Sequence, residues 1–559
     1  MTKKILLGLL PYWAPQIPPM GICCLKTFLE KHGYEVKIFD ANVDKRFSEL
    51  NGRYFELLER AIPESSRGNF FNVGQDMLRG HMMAHLNSKD RNDCLQLTEQ
   101  LAYQNFFTCV SSHEIEALDV VLDEFYSSLD DSISELLHRE KPDVFGLSVY
   151  RGNLPSSMAA FRLAKELYPS LTTVMGGAVF AGDLTPGTRS LDLFLEKTPY
   201  IDKLLVGEGE LLFLKFLQGG LQSGQRVYTI ADIDYEMFDL EKADTPDFSD
   251  IDASYYPDLA AYTSRSCPFQ CAFCAETVYW GKYRKKNPVC VADELVALRD
   301  QFDSSLFLLC DSLLNPVALT LSRELIARNE SIYWDGYFRA EKEVADEDYA
   351  FLLRRGGFYR ARLGIESGAP KVLEAMNKKV TVDQIKQAVT SLAAAGIKTT
   401  TYWVIGFPGE TEEDFQQTLN LVEQLKDNIY EAWCSPFHYF SSGQVDSDKW
   451  QQYSRLLFSE KAIDTLILHD WELDYPPSRK ESYQRMNRFV EHCRKLNIPN
   501  PYKMMEFHQA DQRWAQLHRN AVPPLLSLKN NDFARGENLT IKKHKAAHSR
   551  LDLSPDFDF

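Results

Sequence analysis

Three cysteines fall within eight residues of one another, in the run Cys267-Pro268-Phe269-Gln270-Cys271-Ala272-Phe273-Cys274. Spacings of four and three, in a loop that follows a strand, let three thiolates point at one centre. A structural zinc would need a fourth ligand, usually a cysteine or histidine close by. The chain has no histidine between His138 and His438, and the next cysteine, Cys290, lies sixteen residues on. The pattern fits a [4Fe-4S] cubane better. Three thiolates leave one iron open, which suits chemistry more than electron storage. The full set of 11 cysteines is odd and mostly scattered along a 559-residue chain, so it is not a disulfide framework.

The loop needs a rigid element behind it, and the flanking sequence supplies one. Strands are expected at 261–265, 306–311, 333–339, 360–365, 398–405 and 431–438, with helices over 293–302, 318–329, 381–395 and 412–426 between them. Such alternation predicts a partial (β/α)6 TIM-like barrel over 255–445, with chemistry at the carboxyl ends of its strands. Just after the cysteines, Lys282, Arg284, Lys285 and Lys286 form a basic run, read as a solvated face or as the seat of an anion.

Residues 1–225 alternate in the same way, which predicts a Rossmann-like parallel sheet and an overall α/β class. The alternation breaks over about 44–142, where few glycines and prolines interrupt a run rich in Leu, Phe, Tyr and acids, read as a helical insertion. Residues 226–254 are expected to be an acidic linker, since 231–252 hold nine acids and one lysine. The region 446–559 reads as mainly helical, with its last thirty or so residues as a tail.

Composition sets outer limits. At about 150 residues per domain the length suggests three or four domains. Hydrophobic residues at 44% and charged residues at 25% are ordinary for a chain with a sizeable core. A net charge of −17 argues against a general nucleic-acid partner. No apolar run is long enough to span a membrane. The apolar start ends at Pro11, too soon for a secretory signal, and reads as the first strand of a cytoplasmic protein.

With Phe273 before its last cysteine, the loop resembles the signature of the radical S-adenosylmethionine (SAM) superfamily, and the likeness extends over about 255–445. Leu308-Leu309-Cys310-Asp311 is similar to that family's second strand and Tyr337-Phe338-Arg339-Ala340-Glu341 to its third. Gly364-Ile365-Glu366-Ser367-Gly368 is similar to the fourth, and Val404-Ile405-Gly406-Phe407-Pro408-Gly409-Glu410-Thr411 to the fifth. The resemblance implies that Cys267, Cys271 and Cys274 hold the cluster while SAM chelates its open iron. An electron, from a donor such as flavodoxin or ferredoxin, then yields a 5′-deoxyadenosyl radical. It further implies that Phe273, Arg339, Glu366, Ser367, Gly406 and Pro408 contact SAM. Read without the family, Arg339 and Glu366 are equally candidates for a salt bridge inside the barrel, and Gly406 and Gly409 for a simple turn.

In the N-terminal half, Pro18-Pro19-Met20-Gly21, Phe39-Asp40-Ala41-Asn42, Gly146-Leu147-Ser148-Val149, Met175-Gly176-Gly177 and Val206-Gly207-Glu208-Gly209-Glu210 occur in that order. Together they resemble the cobalamin-binding domain that precedes many radical SAM barrels, which implies cofactor contacts from Asn42, Ser148, Gly176, Gly177 and Glu208. The matching loop Asp40-Ala41-Asn42-Val43-Asp44-Lys45 lacks the histidine and glycine of an Asp-x-His-x-x-Gly motif. Cobalamin would then bind without a histidine lower ligand, or the fold persists without the cofactor. The implied activity is a cobalamin-dependent radical SAM methyltransferase acting on an unactivated carbon of a natural-product or peptide substrate. Radical cyclisation, rearrangement or oxidation is the alternative, and a cobalamin- or cluster-based sensor a minor one. The insertion and the region after 445 are expected to shape the pocket. His438, His469, Trp471, Tyr475, His508 and Trp514 are candidates there, each with core packing or surface as the plainer role.

Overall fold

A strand covered on both faces reads as a continuous apolar run rather than an alternating one. Lys4–Leu9 (β1) is such a strand, buried at every position after Lys4. In the computed structural model, which describes residues 3–11, 17–500, 504–524 and 527–528, it sits inside a six-stranded sheet. The other strands are Glu35–Asp40 (β2), Val144–Ser148 (β3), Thr172–Gly176 (β4), Lys203–Leu205 (β5) and Val227–Tyr228 (β6). Their order is β2-β1-β3-β4-β5-β6, all parallel. The strand order reverses between β1 and β3, the point outside which open α/β sheets bind ligands. The sheet runs to Tyr228, so the stretch expected to begin a linker at 226 first contributes an edge strand.

Residues 44–142 hold five helices, Lys45–Ala61, Glu64–Arg67, Phe70–Asn87, Arg91–Phe106 and Ser112–Glu140. Their ends carry local start signals. Asp44, Asp90 and Ser111 each accept a backbone N–H, and Ser111 with Glu114 forms a capping box.

The acids after Tyr228 are pinned rather than free. Lys26 meets Asp247 at 3.0 Å and Asp250 at 2.8 Å, Lys31 meets Asp244 at 2.8 Å, and Asp250 also accepts from the Ile38 N–H. The stretch is laced to the first helix and to β2, so part of its charge is neutralised by the surface it crosses.

The second sheet contains Leu259–Ala261 (β7), Leu306–Leu309 (β10), Tyr333–Phe338 (β11), Phe358–Glu366 (β12), Lys398–Ile405 (β13) and Glu431–Pro436 (β14). Ser264–Arg265 (β8) and Arg284–Lys285 (β9) form a separate antiparallel pair. The barrel strands follow chain order, β7-β10-β11-β12-β13-β14, all parallel. The first differs from the strand expected at 261–265, because the Asp311 carboxylate accepts from the Thr263 N–H and from the Thr263 and Ser264 hydroxyls. That side chain pulls the chain off the sheet after Ala261.

Beyond 445 the helices Glu460–Leu466, Arg479–Lys495 and Met504–Leu517 are joined by a two-stranded antiparallel ribbon, Ser454–Leu456 (β15) with Trp471–Leu473 (β16), which the sequence did not signal. The expected tail beyond residue 528 lies outside the described residues. No described helix is long and apolar enough to cross a membrane.

Candidate active site

The cysteine loop leaves β8 and is tied down from two sides. The Ala272 N–H donates to Met376 O at 2.9 Å, and Asn377 Nδ2 to Gln270 O at 2.6 Å. From the C-terminal region, the Val445 and Asp446 amides donate to Cys274 O and Ala272 O, both at 3.1 Å, and Gln444 Nε2 to Phe273 O at 3.0 Å. These bonds fix the loop's backbone. Cys267, Cys271 and Cys274 are all free thiols. Burial pushes the Cys274 thiol up to about 12.

Among the described residues, the trio whose ligand atoms all lie within 4.8 Å of one another is His81, Cys94 and Asp119.

Arg339 follows β11 and reaches the loop. Its Nη1 lies 3.3 Å from Cys271 Sγ, its guanidinium stacks 3.8 Å over the Phe269 ring, and Nη2 donates to Lys378 O. Neither the barrel salt bridge nor a free carboxylate fork describes it. It braces Cys271, and its buried Nε is left without a protein partner. Glu366 does form an ion pair, with Lys378 Nζ at 2.6 Å, and holds a φ of +65° where the β12 register shifts. Gly364 admits that pair, since a Cβ there would lie 2.5 Å from Glu366 Oε1. Ser367 spends its hydroxyl on Thr418 Oγ1 at 3.2 Å and on the Ala369 N–H at 3.1 Å, which shapes the turn after β12.

Gly406, at φ +77°, passes so close to the helix Arg479–Lys495 that a Cβ would lie 2.1 Å from Ser482 Oγ. Its N–H donates to Glu410 Oε2 at 2.8 Å, and Glu410 in turn meets Arg485 Nη1 at 3.2 Å. Burial raises Glu410 to about 7, against the lowering pull of the Gly406 N–H and Arg485. A carboxyl raised in the fold gives stability that is complete below its unfolded value of about 4.5 and lost as pH rises through about 7. Between about pH 5 and pH 8, therefore, the melting temperature of the wild-type protein should fall more than that of Glu410→Gln.

Gly406 and Pro408 open onto a cavity of about 510 Å³, its solvent mouth included, which His438, Trp471 and Tyr475 also line. Three of the six candidates in the C-terminal region therefore meet the fifth-strand turn. The others do not. His469 Nδ1 bonds to Ser190 Oγ at 2.9 Å, His508 pairs with Gln512 on the surface, and Trp514 is core, donating to Gly396 O at 3.1 Å.

In the first sheet, Ser148, Gly176 and Gly177 stand at the carboxyl ends of β3 and β4. Gly177, at φ +113°, passes the chain at Val149, where a Cβ would lie 2.4 Å from the carbonyl oxygen. Asn42 sits just beyond β2, its N–H on Asp40 Oδ1 at 3.0 Å, and Asp40 also accepts from the Tyr256 hydroxyl. The Glu208 carboxylate is gripped by Arg284 and, at 3.5 Å, by Arg265. Glu208 and Arg284 thus tie the first sheet to the β8–β9 pair beside the barrel. The basic run is no uniform solvated face: Lys286 is buried on Glu294 at 2.8 Å and lies 3.7 Å from the centre of the Tyr262 ring, while Lys282 and Lys285 are exposed.

Some residues the sequence reading missed show what lies between the sheets. Tyr337, in the middle of the barrel sheet, is 42% exposed and its ring lies 5.8 Å from that of Tyr402. Flanked by strands on both sides, it meets solvent only inside the barrel. Tyr150, just past β3, is 37% exposed, and Cys310 at the end of β10 is near enough to raise its hydroxyl, second to burial. The Tyr279 hydroxyl, on the helix after the cysteine loop, donates to Gly177 O at 3.2 Å. The carboxyl edge of the first sheet thus touches the helix that follows the cysteine loop. No signal in the sequence singles out these tyrosines among 26.

This architecture, a parallel sheet facing a six-stranded half-barrel, has solved counterparts. The chain superposes on the radical S-adenosylmethionine methyltransferase TsrM from Kitasatospora setae with a TM-score of 0.54, over 96% of this chain and 99% of that one, at 16% identity. That likeness establishes the fold. Residues 262–422 match the family model described as the radical SAM superfamily, so this segment is a radical SAM domain. Among curated relatives, an anaerobic magnesium-protoporphyrin IX monomethyl ester cyclase from Rubrivivax gelatinosus is 28% identical over 57% of this chain, and the match spans 61% of that protein. The cobalamin-dependent radical SAM methyltransferase TokK from Streptomyces tokunonensis is 25% identical over 49% of this chain and 44% of its own.

Proposed function

We propose that the protein is a cobalamin-dependent radical SAM methyltransferase acting on an unactivated carbon of a natural-product or peptide substrate. One observation carries the reading: the β4 end of the first sheet, at Gly177, accepts a hydrogen bond from Tyr279, five residues past Cys274. A corrin seated on that edge would face a nucleoside held by the loop. When bound, the cluster and SAM would supply a carbon-centred oxidant, and cobalamin a transferable methyl group. The chain's own residues do the rest. Cys267, Cys271 and Cys274 would ligate iron, with Arg339 placing a positive charge beside Cys271. The Gly406–Pro408 turn lies where an adenine would stack. The tyrosines would limit water there. Asn42, Ser148, Gly176 and Gly177 would flank the corrin, while Glu208 acts through its ion pair with Arg284. The loop after β2 has no histidine, so the cobalt would lack one as lower ligand.

A cavity of about 470 Å³, its solvent mouth included, lies between the insertion and the ends of β1 and β3, lined by Pro11, Gly152, Leu50, Tyr54, Met82 and Phe125. Gln75 Nε2 and Arg79 Nε, on residues that line it too, are buried donors without a protein partner. An apolar group ending in a carboxylate or amide oxygen matches it. Losing a charge-assisted hydrogen bond of about 1.5–3 kcal/mol, Arg79→Met should raise KM for such a substrate about tenfold or more while kcat holds.

The test is anaerobic reconstitution with counts of iron, sulfide and cobalamin, a flavodoxin- or ferredoxin-type electron donor, and assay of 5′-deoxyadenosine and product mass. A product heavier by one methyl group supports transfer. The alternative, radical cyclisation without methyl transfer, draws on the several relatives described as anaerobic cyclases and predicts a product that loses hydrogens or keeps its mass. Failure to form any deoxyadenosine would sink both.

A further inference from the structure

We propose that the helical insertion holds a structural divalent metal ion of the zinc type, bound by His81, Cys94 and Asp119. These three side chains come from three different helices, Phe70–Asn87, Arg91–Phe106 and Ser112–Glu140, and their ligand atoms lie within 4.8 Å of one another. They are 0%, 4% and 3% exposed, deep in the insertion and apart from the cysteine loop. All of them converge on a single oxygen. Asp119 Oδ1 lies 3.3 Å from His81 Nε2, 2.8 Å from His85 Nδ1 and 3.8 Å from Cys94 Sγ.

The donor set is one that zinc takes, with imidazole, thiolate and carboxylate together. Its charge also balances. One carboxylate and one thiolate neutralise a divalent cation, so the buried site carries no net charge. Binding is not a redox step: a metal–sulfur bond replaces the Cys94 S–H bond and the proton goes to solvent. His85, one helical turn from His81, or a water fills the fourth position.

The surroundings fit as well. The Tyr54 hydroxyl lies 3.1 Å from His81 Nδ1, so His81 would present Nε2 to the ion while Nδ1–H donates to Tyr54. Metal-bound histidines are commonly oriented through such a bond on the other ring nitrogen. Arg91 approaches the far oxygen, Asp119 Oδ2, at 3.4 Å and leaves Oδ1 to the ion. Tyr54 also lines the 470 Å³ cavity, so an ion here would stiffen one wall of it.

The full chain, reconstituted anaerobically, is incubated with zinc chloride, desalted and analysed for zinc and iron. About one zinc per chain is expected in the wild type and also in the Cys267→Ala/Cys271→Ala/Cys274→Ala variant. Cys94→Ser should lose it and keep the wild-type iron content. Cobalt(II) in place of zinc should give a thiolate charge-transfer band that Cys94→Ser abolishes. Tyr54→Phe, which leaves every ligand in place, should weaken zinc affinity about tenfold or more and guards against a misfolded Cys94→Ser. A wild-type chain that retains no zinc or cobalt, a Cys94→Ser chain that retains both, or zinc that disappears with the loop cysteines would each overturn the proposal. None of these outcomes depends on cobalamin or on methyl transfer.

Discussion

Alanine at any one of Cys267, Cys271 or Cys274 should abolish 5′-deoxyadenosine formation, by at least about a thousandfold, or ~4 kcal/mol of barrier. The visible iron–sulfur absorption and most of the bound iron should go with it. The size of the effect follows from how the loop is built. Its backbone is fixed by Met376, Asn377, Gln444, Val445 and Asp446, so it cannot slide to bring another thiol into place. Cys290 is exposed, and Cys310 follows β10 with no bond to the cysteine loop among those that fix it. Cys290→Ala should therefore leave iron and activity unchanged, which separates loss of a ligand from a general sensitivity to losing thiols. A triad variant that still carries four irons and makes deoxyadenosine would remove the cluster from this loop.

Much of this was legible in the sequence because the signals were local. A cysteine triplet, glycines after strands, and the βα period of the barrel each declare themselves within a dozen residues, and the 398–405 strand came out residue for residue. What stayed hidden depends on contacts distant in sequence. Asp311 cuts short the first barrel strand through Thr263 and Ser264, 48 and 47 residues away. Glu208 reads as a cofactor contact in a glycine-rich turn, yet is claimed by Arg284, 76 residues on. Trp514 looks like any pocket aromatic until Gly396, 118 residues back, is seen to accept its indole N–H. The histidines of the insertion, spread over a helical stretch, acquire a common focus only when Asp119 and Cys94 are folded against them.

The barrel interior gives the second large expectation: Asp335→Ala should destabilise the fold by about 3–5 kcal/mol. Asp335 is fully buried on β11, and its Oδ2 accepts from Arg360 Nε at 2.7 Å and Arg362 Nη2 at 2.8 Å, both on β12. Removing the carboxylate leaves two guanidinium groups buried beside each other, and their repulsion adds to the lost pairing. Asp258 cannot substitute readily, because burial and the neighbouring Asp335 raise it to about 7. Once Asp335 is gone that repulsion also goes, so Asp258 ionises toward the two arginines at a lower pH and part of the loss should already be recovered at neutral pH. The same two strands carry Arg339 and Glu366 at their carboxyl ends, so the damage should reach the site as a weaker hold on SAM. Thermal and urea unfolding of Asp335→Ala measure the first effect, and the SAM dependence of deoxyadenosine formation the second. Replacing both partners as well, in Asp335→Leu/Arg360→Met/Arg362→Met, removes the unpaired charges and should regain most of the stability. If the single variant proved as stable as the wild type, the arginines would have found water, and the interior here would be wet rather than closed by an ion pair.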